Sequence, residues 1–145
     1  MQDKPLKRPE SVLVVVYTVE FDVLLLHRTH PMDFWQSVTG SMRWEEADPL
    51  DTARRELMEE TGLPGEGLES CQASSRFVIK PEWRARYGPD VSENLEHVFR
   101  LRLPTRMPVM LNPDEHTDYL WLPKTEAIAK VWSWTNREAI ERFVG

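Results

Sequence analysis

The sequence predicts a mixed α/β domain in which helices cover a sheet. Three observations carry this reading. A β-branched run of strand length occurs at residues 11–17, and a further strand pattern at 95–103. Helix start and stop signals bracket residues 48–62, and an amphipathic segment closes the chain. These patterns alternate with no repeat, low-complexity tract or linker between them, and 145 residues suit one domain over 1–145.

Residues 1–10 are polar and proline-interrupted, with Lys4, Lys7 and Arg8 close together. Residues 11–17 (SVLVVVY) form a strand buried on both faces. Residues 20–22 turn the chain, and 23–27 (VLLLH) are a second strand and hairpin partner of the first. A loop through Pro31, Met32 and Asp33 leads to a short strand over 34–39 that ends at Gly40. Asp48-Pro49 supplies an N-cap and a proline at the first helical position. Leu50, Ala53, Leu57 and Thr61 form the inward stripe of that helix, and Gly62 stops it.

Residues 75–79 and 95–103 are strands. The polar connection between them carries Arg84, Arg86, Tyr87, Gly88 and Pro89, and is a candidate mobile substrate loop. Residues 109–111 and 119–122 are short strands, and Pro123 opens a helix to about Lys130. Thr135 with Glu138 forms a capping box for a last helix whose apolar side is Ala139, Ile140 and Phe143.

Composition excludes several classes of function. With 18 basic and 24 acidic side chains the net charge is −6, which argues against a stable nucleic-acid partner. An anionic small molecule remains compatible if cations gather locally. The apolar run at 12–17 is far shorter than the ~20 residues of a spanning helix, so no membrane partner is expected. The single Cys71 allows neither an internal disulfide nor a cysteine-rich zinc site, and points to a reducing, cytoplasmic setting. Oligomeric state is left open.

The chemistry-bearing segment is RRELMEETGL at 54–63. It sets Glu56, Glu59 and Glu60 at i, i+3 and i+4, within an arc of roughly 100° on one helix. Like charges at these spacings repel by a few tenths of a kcal/mol per pair. Solvent, the adjacent Arg54 and Arg55, or a hard divalent cation could offset the repulsion; Mg²⁺ favours such oxygen ligands.

Residues 40–63 resemble the Nudix box, G-x5-E-x7-R-E-U-x-E-E-x-G-U with U aliphatic. Arg55, Glu56, Leu57, Glu59, Glu60, Gly62 and Leu63 match without a gap. The first half departs: Gly40 to Glu46 has the right spacing, but eight residues, not seven, separate Glu46 from Arg55. One residue is therefore inserted, and the loop before Asp48 is the place that keeps the acids in register. The resemblance implies a Nudix-type α/β/α sandwich, a mixed sheet flanked by helices. It implies Mg²⁺-dependent hydrolysis of a diphosphate, with Mn²⁺ as an alternative. Glu56 and Glu60 would be metal ligands, Glu59 a third ligand or a base, and Arg55 an orienting group for Glu56 or another carboxylate.

The resemblance extends along nearly the whole chain. Residues 4–11 (KPLKRPES), 33–41 (DFWQSVTGS) and 133–143 (SWTNREAIERF) are similar to the branch of the family that releases pyrophosphate from 7,8-dihydroneopterin 3′-triphosphate in folate synthesis. That likeness implies a small-molecule triphosphate partner, held by Lys7, Arg28, Thr39 and Ser133, and a further metal ligand at Glu115. Asp114 competes with Glu115, and His116 is an alternative general base. Residues 77–80 are carried over only as a substrate-binding region. Asn94 and Tyr87 are possible pocket residues. Taken by themselves, Lys7 reads as a surface lysine, Thr39 as a strand end and Ser133 as a helix-start hydrogen-bonder. Among Trp35, Trp121, Trp132 and Trp134, we favour Trp35 and Trp134 as pocket residues. Other functions remain open: hydrolysis of canonical or damaged nucleoside triphosphates, a binding module without turnover, or a purely structural acidic helix.

Overall fold

The computed structural model describes residues 5–30 and 32–145; Lys4 of the basic opening and Pro31 of the first loop lie outside them. The long valine run becomes the axis of the fold. It forms strand β1 (Glu10–Thr18), followed by β2 (Asp22–Arg28), β3 (Phe34–Gln36) and β4 (Val38–Ser41). Helix α1 (Pro49–Thr61) comes next, then β5 (Glu69–Val78), a 3-10 turn over Pro81–Arg86 and β6 (Glu93–Leu103). Strand β7 (Asp118–Pro123) and helices α2 (Lys124–Lys130) and α3 (Trp134–Phe143) complete the order.

The described strands make one mixed sheet in the order β3-β2-β1-β6-β5, with β4 added to β1 and β7 to β2. β1 runs parallel to β6 from Glu10↔Leu95 to Thr18↔Leu103. Its alternate residues enter different cores. Val12, Val14 and Val16 pack with Ala53 and Leu57 of α1, whereas Leu13, Val15 and Tyr17 pack with Ala127 of α2 and Ala139 and Ile140 of α3. A strand buried on both faces must read as continuous apolar sequence, and this one does. Each fully buried valine or leucine stabilises the fold by about 1.5–3 kcal/mol.

The expected hairpin is brief. β1 and β2 share the register pair Tyr17↔Val23 and then diverge. The segment 34–41 spans the gap: β3 pairs with β2 at Leu26↔Gln36, and β4 pairs with β1 at Val14↔Val38. The single expected strand therefore splits at Ser37, whose N–H donates to Asn136 Oδ1 (2.8 Å) in α3 instead of to a strand.

Three other expectations need correction. β5 begins at Glu69, earlier than residue 75, because a bulge between Ser70 and Ala73 keeps its first residues on β6. Residues 109–111 form no strand. They lie between Pro108 and Pro113, and Met110 N–H caps the end of α1 by donating to Thr61 O (2.9 Å). The last helix starts earlier than the Thr135–Glu138 box requires: Ser133 is the N-cap, accepting from Asn136 N–H. Among the described residues no helix is long and apolar enough to cross a membrane.

Candidate active site

The cap signals of α1 operate as expected. Asp48 Oδ1 accepts from Leu50 N–H (2.9 Å), and Gly62 takes φ 73°, where its N–H reaches Met58 O. The helix thereby presents Glu56 and Glu60 inward, one turn apart, at 7% and 0% exposure. Glu59 does not join them. It faces outward to Arg55 (3.4 Å) and Arg43 (3.7 Å), so two of the three acids converge, not all three. Glu56 lies directly on the backbone of Gly40: a Cβ there would overlap its Cγ, Cδ and Oε1.

Arg55 holds this arrangement. Its Nε and Nη2 donate to the two carboxylate oxygens of Glu46 (3.1 and 2.8 Å), Nη1 donates to Glu56 Oε1 (2.7 Å), and Nη2 also reaches Ser41 O (3.2 Å). Glu46 thus reaches Arg55 despite the inserted residue, which the loop ahead of Asp48 absorbs while α1 stays regular. The guanidinium hydrogen bonds hold the Glu46 carboxyl down at about 2. Its contribution is full above the ordinary carboxylate value and is lost as pH falls toward 2. With partial contact to water allowed for, it amounts to about 2 kcal/mol. We expect Glu46→Gln to melt about 5 °C below the native protein at pH 7, and the gap to narrow toward pH 2.5. A gap that is constant across pH, in paired thermal melts, would contradict this role.

Behind Glu56, Glu60 meets a short polar relay. Thr39 Oγ1 donates to Gln36 Oε1 (3.3 Å), and the Gln36 amide donates to His116 Nε2 (3.1 Å). That leaves Nδ1 as the protonated nitrogen, facing Glu60 Oε1 at 3.8 Å. Burial, with Arg28 and His27 nearby, lowers the His116 pKa to about 4, so the imidazole is neutral and the contact is not an ion pair. The loop before β7 sets the last acid. Asn112 O accepts from both Glu115 N–H and His116 N–H, which turns Glu115 toward the site and leaves Asp114 in solvent.

Ligand atoms of Glu60, Glu115 and His116 lie within 4.8 Å of one another. Both Glu60 oxygens are buried with no hydrogen-bond partner among the described residues. Burial, then the neighbouring Glu56 and Glu115, push the Glu60 carboxyl well above the usual range, and burial raises Glu56. Oxygen donors crowded, desolvated and otherwise unsatisfied suit a hard divalent cation.

Glu56 and Glu115 open onto a cavity of about 760 Å³, and Glu60 lies enclosed behind its wall. Lys7, Arg28, Thr39 and Ser133 all line it, as do Glu56 and Glu115. Burial, aided by Arg86 and Arg28, lowers the Lys7 ammonium pKa to about 8, and the Lys7 backbone N–H donates to Arg86 O (2.8 Å). A cationic cluster thus borders the acids. Thr39 and Ser133 already have local partners: the Ser133 hydroxyl accepts from both N–H groups of Asn136 (backbone 3.2 Å, side chain 2.7 Å).

The aromatic expectation is half corrected. Trp134 lines the cavity, but Trp35 stacks on His27 at 4.4 Å instead, because β2–β3 pairing sets it beside that ring. Trp121 packs into the core on the α1 face. Trp132 and Trp83 line the cavity together, edge to face at 5.6 Å. Residues 77–80, Tyr87 and Asn94 also border it. Arg86, in the connection read as a candidate substrate loop, lines it too, whereas Trp83 and Glu96 are lining residues that sequence reasoning missed. Glu96 had a signal: it occupies the same strand face as the inward Val98.

A NUDIX domain model matches residues 7–143. The chain is 42% identical to the dihydroneopterin triphosphate diphosphatase of Escherichia coli (strain K12), over 99% of this chain and 97% of that protein. It is 37% identical to the protein of the same name from Haemophilus influenzae, over 95% and 89%. The solved structure of the E. coli dihydroneopterin triphosphate pyrophosphohydrolase superposes with a TM-score of 0.88, covering 97% of this chain and 98% of that one.

Proposed function

This chain belongs to the NUDIX family, and from that premise we propose that it releases pyrophosphate from 7,8-dihydroneopterin 3′-triphosphate, leaving the monophosphate. The observation that carries the reading is the fully buried Glu60 carboxylate, unpartnered among the described residues and set beside Glu115, which lines a large cavity together with Lys7, Arg28 and Arg86. The names of the relatives supply the substrate class. Glu56, Glu60 and Glu115 are the proposed cation ligands, with Mg²⁺ the expected ion and Mn²⁺ an alternative. A bound divalent cation supplies charge neutralisation on the phosphates and a more acidic attacking water.

The protein's own side chains do the rest. Lys7, Arg28 and Arg86 hold phosphate oxygens and draw the chain against the acids. Arg55 fixes the rotamer of Glu56 through two pinned hydrogen bonds to Glu46, so that Glu56 enters the reaction already oriented. The neutral His116 ring lies beside Glu60, its Nδ1 3.8 Å from Oε1, and adds no charge to the acidic centre. Glu59, exposed and paired to Arg55 and Arg43, lies outside the cavity lining, and its role is to balance the charge of Arg55. A cytoplasmic setting goes with this reading.

The test is pyrophosphate release from dihydroneopterin triphosphate, GTP and dATP side by side, with Mg²⁺ and with EDTA. We expect the pterin to be turned over with a kcat/KM at least about tenfold above either nucleotide, and EDTA to abolish release. Equal or better turnover of nucleotides would overturn the substrate; no release from any of the three would overturn the hydrolase reading for these compounds.

A further inference from the structure

Among the described residues, the other buried or half-buried glutamates of the sheet and α1 have a partner or a cluster. Half-buried Glu10 is held by Arg8 (2.8 Å) and His97 (2.6 Å), Glu46 and Glu56 by Arg55, and Glu60 belongs to the acidic centre. Glu96 of β6 does not fit that pattern. It is 4% exposed, lines the cavity, and its Oε1 has no hydrogen-bond partner among the described residues. Burial raises its pKa to about 7, relieved in part by the Thr135 hydroxyl. An acid buried without a cation is costly, and an apolar residue of similar size would be the stabilising choice.

The wall around Glu96 is built from β6 and the start of α3, away from the acids of α1. Asn94, two residues earlier on the same strand face, donates its amide N–H to Ser11 Oγ (2.7 Å) and leaves its buried Oδ1 without a partner among the described residues. Flat aromatic surface lines the same cavity: Trp132 packs on Phe34 at 4.5 Å and on Trp83 at 5.6 Å. Two buried acceptors near aromatic faces fit a planar heterocycle that presents adjacent N–H donors.

We infer that Glu96 selects the ring of the substrate, its carboxylate accepting the N–H donors of a 2-amino-4-oxo pyrimidine edge, the unit that a pterin shares with guanine. This rests on the reading that the substrate carries such a ring. A carboxylate facing two N–H groups makes a bidentate, charge-assisted contact, whereas a ring lacking the 2-amino group leaves one buried oxygen unsatisfied. Glu96 therefore sets specificity and takes no part in phosphate chemistry.

The test uses the full chain and Glu96→Gln. Binding of neopterin, the ring without phosphate, is followed by tryptophan fluorescence. Turnover with Mg²⁺ is compared on dihydroneopterin triphosphate, GTP and ITP, the last lacking the 2-amino group. We expect the variant to bind neopterin about 10–100-fold more weakly, and a native preference for GTP over ITP of about tenfold or more to fall to near one. Its kcat should stay within about threefold, and its Tm at or above the native value because a buried charge is gone. Neopterin affinity and GTP/ITP ratio both within twofold of native would overturn the inference. So would a lowered Tm with an unchanged ratio, which would make Glu96 a structural residue. If GTP rivals the pterin in the native protein while the variant still loses the GTP/ITP preference, the substrate reading fails and the role of Glu96 stands.

Discussion

Glu60→Gln is expected to lower metal-dependent turnover on the order of 10³-fold or more while the protein stays folded. Loss of a residue that merely orients a metal ligand costs 10–100-fold, and loss of a ligand itself costs more. The reason lies in burial. Glu60 is completely enclosed, and neither oxygen has a protein partner among the described residues, so both are free to face a cation. The amide keeps the shape and removes the charge. The metal-free variant should therefore melt at or above the native temperature, since an enclosed acid beside Glu56 and Glu115 destabilises the fold. Adding Mg²⁺ or Mn²⁺ should raise the native Tm and leave that of the variant unmoved. Native-like turnover by the variant would rule out Glu60 as the central ligand.

Gly40→Ala should cost about 100-fold in kcat/KM and about 1–3 kcal/mol of stability. The methyl group would occupy the space of the Glu56 carboxylate, and Glu56 cannot yield freely because Arg55 Nη1 holds its Oε1 at 2.7 Å. Either the carboxylate swings out of the site or β4 moves away from α1. Both displace an acid by about an ångström, a distance that catalysis does not tolerate. Gly65→Ala is the matched control. Its methyl group meets only the flexible side chain of Arg54, which can move into solvent, so kinetics and Tm should remain near native. Equal behaviour of the two variants would show that contact with Glu56 is not why residue 40 lacks a side chain.

What the sequence revealed of this site divides by the range of the interactions. Asp48, Pro49, the apolar stripe and Gly62 act within one helix, so their pattern located α1 to within a residue of its observed limits. Glu56 and Glu60 followed from the same periodicity. The outward turn of Glu59 did not, because it depends on Arg43 and Arg55 collecting on one side. The Nudix pattern left Glu46 one residue out of register, and only the tertiary contact to Arg55 shows how a longer loop still delivers the carboxylate. Ser133 was legible as a helix-start residue, yet its place beside the cavity depends on how α3 docks on the sheet. Trp35, favoured for the pocket, and Trp132, not favoured, exchanged situations for a similar reason. A tryptophan's neighbours are fixed by strand pairing and loop path, which local pattern does not encode.

The alternation of β1 between two cores has a consequence for how this protein can diversify. The acidic wall rests on α1 and the valines of one sheet face; the wall with Glu96 rests on α3 and the other face. The two walls border one cavity but are supported by different cores, so substitutions in the packing behind the second wall should add to those behind the first and not compound. A lineage can exchange one heterocycle for another by drift on β6 and α3 while the hydrolytic apparatus is inherited intact. A library confined to those elements is accordingly the economical route to new triphosphate preferences.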